Sequence, residues 1–136
     1  MNDCLFCKII AGEIPSTHIY EDAFVCAFLD IHPVQPGHTL IVPKVHAETL
    51  LEASHESLLG TMQAVQKIGG AIMSGLEVKG FNVFQNNGQV AGQSVFHLHF
   101  HIVPRYPDDG LAMWPHGAYA SPSEVEAVAE RIQGCL

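Results

Sequence analysis

Positive charge is scarce in this chain: six Lys and Arg stand against 14 Asp and Glu, a formal net charge of -8 over 136 residues. Gripping a nucleic acid polymer takes several clustered cations that neutralise phosphates and release counterions. The six here are scattered, so no nucleic acid polymer is expected as a partner. An acidic protein still binds a mononucleotide where the site supplies local donors such as backbone amides and imidazoles. Long hydrophobic runs are missing too. No apolar stretch approaches the roughly 20 residues that cross a bilayer, and the start shows no basic segment followed by a hydrophobic one. A cytoplasmic protein with no membrane partner is the expectation. Without such a segment, the four cysteines Cys4, Cys7, Cys26 and Cys135 argue against a disulfide framework. Repeats, charge blocks and low-complexity stretches are absent, so residues 1–136 read as a single domain.

What the chain does have is apolar content: 48% hydrophobic against 15% charged residues, which excludes a disordered chain. Surplus apolar surface is commonly closed off by a partner subunit, and a homodimer is expected. Residues 17–20 and 24–29 read as strands of a hairpin joined by Glu21-Asp22-Ala23, and 39–42 as a third strand after the irregular Pro33, Pro36, Gly37 stretch. From Ser54 to Gly75 the period changes. Leu58, Met62, Val65, Ile68 and Ile72 recur at helical steps, which predicts one long helix. Gly69-Gly70 inside it costs about 1 kcal/mol per Gly relative to Ala, so the pair marks either close packing or a break. Residues 80–86 and 95–103 read as two more strands, and Ser121-Pro122-Ser123-Glu124 as the capped start of a C-terminal helix. The order predicts an α+β fold: a five-stranded antiparallel sheet with the long helix packed on one face and a C-terminal helix.

Nine histidines are the compositional oddity, and three alternate in Phe96-His97-Leu98-His99-Phe100-His101-Ile102-Val103. On a strand this puts His97, His99 and His101 on one face and Phe96, Leu98, Phe100 and Ile102 on the core face. Packing alone seldom yields such a row, because each buried imidazole must find partners for two ring nitrogens. Metal binding and nucleophilic or acid-base chemistry compete for the face. At about 3.3 Å rise per residue the outer two Cα atoms lie roughly 13 Å apart, so three rings converging on one ion is poor geometry. A row of rings suits an extended anion such as a phosphate ester or anhydride, with one attacking and a neighbour donating to phosphate oxygens. Neutral imidazole is the nucleophilic form, and its ordinary pKa of about 6.5 leaves it mostly neutral at pH 7. Spacing does not say which ring attacks.

The segment Gln93 to Val103 resembles the H-φ-H-φ-H-φ-φ motif of the histidine triad (HIT) family of nucleotidyl hydrolases and transferases. The likeness extends over Cys4 to Pro15, Ala27 to Ile31, Pro36 to Lys44 and Pro104-Arg105. It implies that His99, the middle histidine, is the nucleophile and that His101 contacts the bound phosphate. Asp30 is implied to accept hydrogen bonds from ribose hydroxyls, with His38, Asn86, Gln93 and Ser94 around the phosphate and leaving group. A bacterial branch of the family implies a structural zinc ion on Cys4, Cys7, His46 and His97; no redox or organic cofactor is expected. A closed set of two thiolates and two imidazoles is structural rather than catalytic. The resemblance further implies dimers joining two five-stranded sheets. The implied activity is hydrolysis of purine nucleoside phosphoramidates or related adenylates through a nucleotidyl-histidine. Alternatives are a dinucleoside polyphosphate hydrolase, a nucleotidyltransferase, or a non-catalytic nucleotide-binding regulator.

Overall fold

The computed structural model describes residues 3–136. Its elements run α1 (Leu5–Ile10), β1 (His18–Glu21), β2 (Val25–Leu29), β3 (Thr39–Pro43), α2 (His55–Gly75), β4 (Gly80–Phe84), a 3-10 turn (Gln89–Ala91), β5 (Phe100–Arg105) and α3 (Pro122–Gln133). The five strands form one antiparallel sheet, as the short connections predict, and their order is β1-β2-β3-β5-β4. Asp22 closes the first hairpin: its carboxylate accepts from the backbone N–H of Phe24 (2.7 Å) and Val25 (2.9 Å) and from the Tyr20 hydroxyl (2.9 Å).

β2 and β3 are nearly all apolar because both faces of the sheet are covered. One face carries Val25, Ala27, Ile41, Leu98, Phe100 and Ile102 against Ala64, Val65, Ile68 and Ile72 of α2. Fully burying a side chain such as Ile41 or Ile102 contributes about 1.5–3 kcal/mol. The opposite face carries Cys26, Phe28, Leu40 and Val42 beneath Phe6 and Ile9 of α1. Helix α1 lies outside the sequence reading, since six residues are too few to show a period. α2 runs unbroken through Gly69-Gly70. A Cβ on Gly69 would collide with the Phe81 ring, whereas Gly70 faces open space, so only the first of the pair is required by packing. Met62 is exposed on the outer side of α2, and Thr61 and Ala64 take the buried positions instead. Among the described residues no helix is long and apolar enough to cross a membrane.

The last strand corrects the sequence reading. β5 starts at Phe100 and reaches Arg105, so residues 95–99 lie outside the ladder. The cause sits at the end of β3, whose pairing with β5 stops at Ile41↔Phe100. Pro43 has no N–H to donate, its carbonyl is taken by the His97 ring, and the Leu98 N–H turns to Ala47 O (2.7 Å). The alternation of sides survives without the ladder: Leu98 packs toward α2, while His97 and His99 meet Phe6 of α1. Phe96, expected in the core, is 48% exposed.

Candidate active site and metal centre

Two clusters of histidines grow from this departure. In the first, the N-terminus of α1 brings Cys4 and Cys7 to His97 and His46. Cys4 Sγ caps the helix, accepting from the Cys7 N–H at 3.4 Å. Cys4 Sγ lies 3.3 Å from His97 Nδ1, Cys7 Sγ lies 3.4 Å from His46 Nδ1 and 3.5 Å from His97 Nδ1, and the two Nδ1 atoms are 3.1 Å apart. A tetrahedron with Zn–N near 2.0–2.1 Å and Zn–S near 2.3 Å has edges of roughly 3.3–3.8 Å, so the four donors fit one ion. The His97 tautomer agrees. Its Nε2–H donates to Pro43 O at 2.8 Å, which leaves Nδ1 as a bare lone pair aimed into the cluster. Burial and the neighbouring Cys4 push the Cys7 thiol up to about 11, so an ion binding there displaces a proton.

In the second cluster the rings are joined in series. The Val34 N–H donates to His38 Nδ1 at 3.1 Å, so the His38 proton sits on Nε2 and is donated to His101 Nδ1 at 2.9 Å. His101 therefore carries its own proton on Nε2. His99 has the opposite arrangement: its Nδ1–H donates to the backbone oxygen of His97 at 2.6 Å, and its Nε2 is left as a lone pair. The Phe84 ring, cross-strand partner of His101, stacks on it at 4.2 Å with planes 8° apart. Burial lowers the pKa of His99 and His38, and burial with neighbouring His99 and His38 pushes His101 down to about 4. All of these rings are neutral at pH 7. Beside them opens a cleft of about 300 Å³, with Phe6, Ile9, Ile14 and Phe28 as apolar walls and Asp30, Ser94, His99 and His101 as its polar rim. Other hollows lie elsewhere on the surface without a cluster histidine in their walls, although one of about 390 Å³ has Val34 and Phe84 among its lining residues.

The HIT domain matches residues 11–108. The chain belongs to the HIT family. Adenosine 5'-monophosphoramidase hnt1 of Schizosaccharomyces pombe is 44% identical over 131 residues, 95% of each chain. A solved HIT family structure from Bacillus subtilis has a TM-score of 0.90 at 47% identity, covering 98% of this chain and 97% of that one. A Zn-bound histidine triad family protein from Mycobacterium smegmatis has a TM-score of 0.78 at 34% identity, with 99% of each chain covered. The α+β architecture of this HIT protein is that of these neighbours.

Within the HIT fold the residues named from sequence take distinct places. Cys4, Cys7, His46 and His97 come together as one cluster able to hold a metal ion. His99, His101, Asp30 and Ser94 line the cleft. His38 is buried behind His101 and reaches the cleft only through that ring, with Asp30 3.8 Å from its Nε2. Gln93 is buried and clamps the loop, accepting from the Gly88 N–H (2.8 Å) and donating to Glu48 O (2.6 Å) and Val95 O (3.1 Å). Asn86 stands in the same loop, its amide against Gly92. Sequence reasoning did not find Phe6, Phe84, the Val34 N–H or the Pro43 carbonyl. The last two are backbone groups that carry no residue signature, although a proline ending a strand beside a histidine row is a usable hint.

Proposed function

We propose that this HIT protein hydrolyses nucleoside phosphoramidates, with a purine nucleotide in the cleft and His99 as nucleophile. The apolar walls suit a flat base, and the two oxygens of the Asp30 carboxylate can accept from both hydroxyls of a ribose. The His99 Nε2 lone pair attacks the α-phosphorus; the bond from phosphorus to the leaving nitrogen breaks, and that nitrogen departs with the electron pair and takes a proton from water at the Ser94 side of the cleft, a proton that the second step returns to solvent. His101 donates its Nε2–H to the phosphate oxygens, where charge grows in the transition state. Water then cleaves the nucleotidyl-histidine, which releases the nucleoside monophosphate and restores neutral His99. Cys4, Cys7, His46 and His97 would hold a zinc ion as a closed structural set, which ties α1 to the catalytic segment. The relative named as an adenosine 5'-monophosphoramidase supports the substrate class.

One observation carries this reading: opposed tautomers give His99 a bare Nε2 and His101 an Nε2–H on the same cleft. The test is a single-turnover reaction with an adenosine phosphoramidate, quenched without acid. The expected result is an adenylyl group on His99 in wild type and none in His99→Ala, which still binds adenosine monophosphate. A wild-type burst of product with no adenylated protein at any time would contradict it.

A further inference from the structure

A recess of about 460 Å³ lies on the α2 side of the sheet, between α2 and the β1 edge, and has no cluster histidine in its walls. Ile19, Leu29, Ile68, Ile72 and Leu76 make it apolar, and its size falls in the roughly 300–1,000 Å³ range of small-molecule sites. A spacing on α2 creates the groove. Ala71 and Gly75 follow Lys67 at four-residue steps, so one row of the helix starts with a long cation and then carries almost no side chain. A Cβ on Gly75 would meet nothing within 4 Å, so the space beside it is not filled by the chain's own side chains.

Polar groups at the groove are few. Thr39 Oγ1 donates to Gly37 O at 2.9 Å and the Tyr20 hydroxyl donates to Asp22, so both hydroxyls are engaged. That leaves the Lys67 ammonium. It stands 4.8 Å over the Tyr20 ring and, among the described residues, pairs with no carboxylate, in a chain where acids outnumber Lys and Arg 14 to six. A free cation at one end of an apolar row matches a ligand with one negative charge and an aliphatic tail. A phosphate calls for several converging donors, whereas a lone ammonium is a point charge that one carboxylate satisfies. From Lys67 to Gly75 the row runs about 12 Å along the helix axis, the reach of an extended chain of about eight to ten carbons. We propose that this groove binds a medium-chain aliphatic carboxylate, its tail along the Lys67, Ala71, Gly75 row and its headgroup on the Lys67 ammonium.

Octanoate titrated into the full-length protein, followed on side-chain methyl groups by NMR, tests this. The expected result is saturable shifts of the Ile19, Ile68, Ile72 and Leu76 methyls at a Kd of about 1 mM or below, with the Ile9 and Ile14 methyls of the nucleotide cleft unmoved. Hexanoate should bind ~10-fold more weakly, since two methylenes fewer are buried. Neutral octanamide should bind ~5-fold more weakly than octanoate, Lys67→Glu should weaken octanoate at least as much, and Lys67→Arg should keep it. Ala71→Phe and Gly75→Leu, which fill the row from outside the core, should each abolish binding, with the Ile41 and Ile102 methyl signals in place as proof of folding. Shifts at Ile9 and Ile14 instead, or shifts that do not saturate below about 10 mM, would overturn the proposal. So would octanamide binding as tightly as octanoate. Affinity that falls as protein concentration rises would mean that a second copy covers the groove, which overturns it as well.

Discussion

The two histidine clusters are built from the same side chain and separated along the chain by one residue, Leu98, and they present opposite chemistry. At His97 the backbone takes Nε2, through Pro43 O, and Nδ1 is offered to two sulfurs and a second imidazole. At His99 the backbone takes Nδ1, through His97 O, and Nε2 is offered to the cleft. The first set converges on a point and suits a cation; the second is strung along a wall and suits an extended anion. Which ring nitrogen the main chain claims decides what a histidine does. The distinction is written where residues 95–99 leave the ladder, which frees the Pro43 and His97 carbonyls to accept from the two rings.

Substitutions sharpen this contrast in a definite order. His99→Ala should cost the most activity, at least ~10³-fold in kcat, with nucleotide affinity kept and thermal stability little changed, as measured by steady-state kinetics and calorimetry. His97→Ala should instead act first on stability. It removes a donor from the metal cluster and leaves Pro43 O unpaired, for a loss of roughly 3 kcal/mol by chemical denaturation and a fall in bound zinc below one ion per chain. Equal loss of activity with unaltered stability and metal content would erase the division between the clusters. His38→Phe should leave metal content untouched and lower kcat ~10–100-fold with KM nearly constant, because His101 Nδ1 loses the donor that fixes its tautomer.

Acidity separates the clusters by a smaller margin. Burial holds His101 at about 4 in the folded chain, against about 6.5 when unfolded, so between these values the unfolded state binds the extra proton. Stability from this group is therefore full above pH 6.5 and lost as pH falls toward 4. His99 and His38 shift the same way, and kcat should stay on its plateau below pH 6.5. Rate profiles and pH-dependent denaturation measure both limbs. An acid limb centred at or above pH 6.5 would mean that the rings are not held neutral.

Much of the architecture follows from pattern. The sequence pattern locates four of the strands, α2 and α3 within about two residues, β5 starts five residues later than read, and Ser121 caps α3 as its spacing predicts. The His97, His99, His101 alternation holds in space, with Leu98 turned toward α2 and the rings to the other side, even though only His101 lies on a strand. Sequence misses what depends on main-chain groups and on short elements. α1 has six residues and a cysteine cap, and the early end of the β3–β5 ladder depends on one proline carbonyl meeting one ring. The Phe84 stack and the Val34 to His38 to His101 relay are cross-strand and loop contacts, invisible to a linear period.

The central claim is that the main chain sets each ring's tautomer, and ¹⁵N NMR of the imidazoles at neutral pH reads it most directly. Protonated Nδ1 with bare Nε2 on His99, and protonated Nε2 with bare Nδ1 on His101, are the signals this account predicts. A His99 ring protonated on Nε2 would leave no lone pair facing phosphorus and would contradict it.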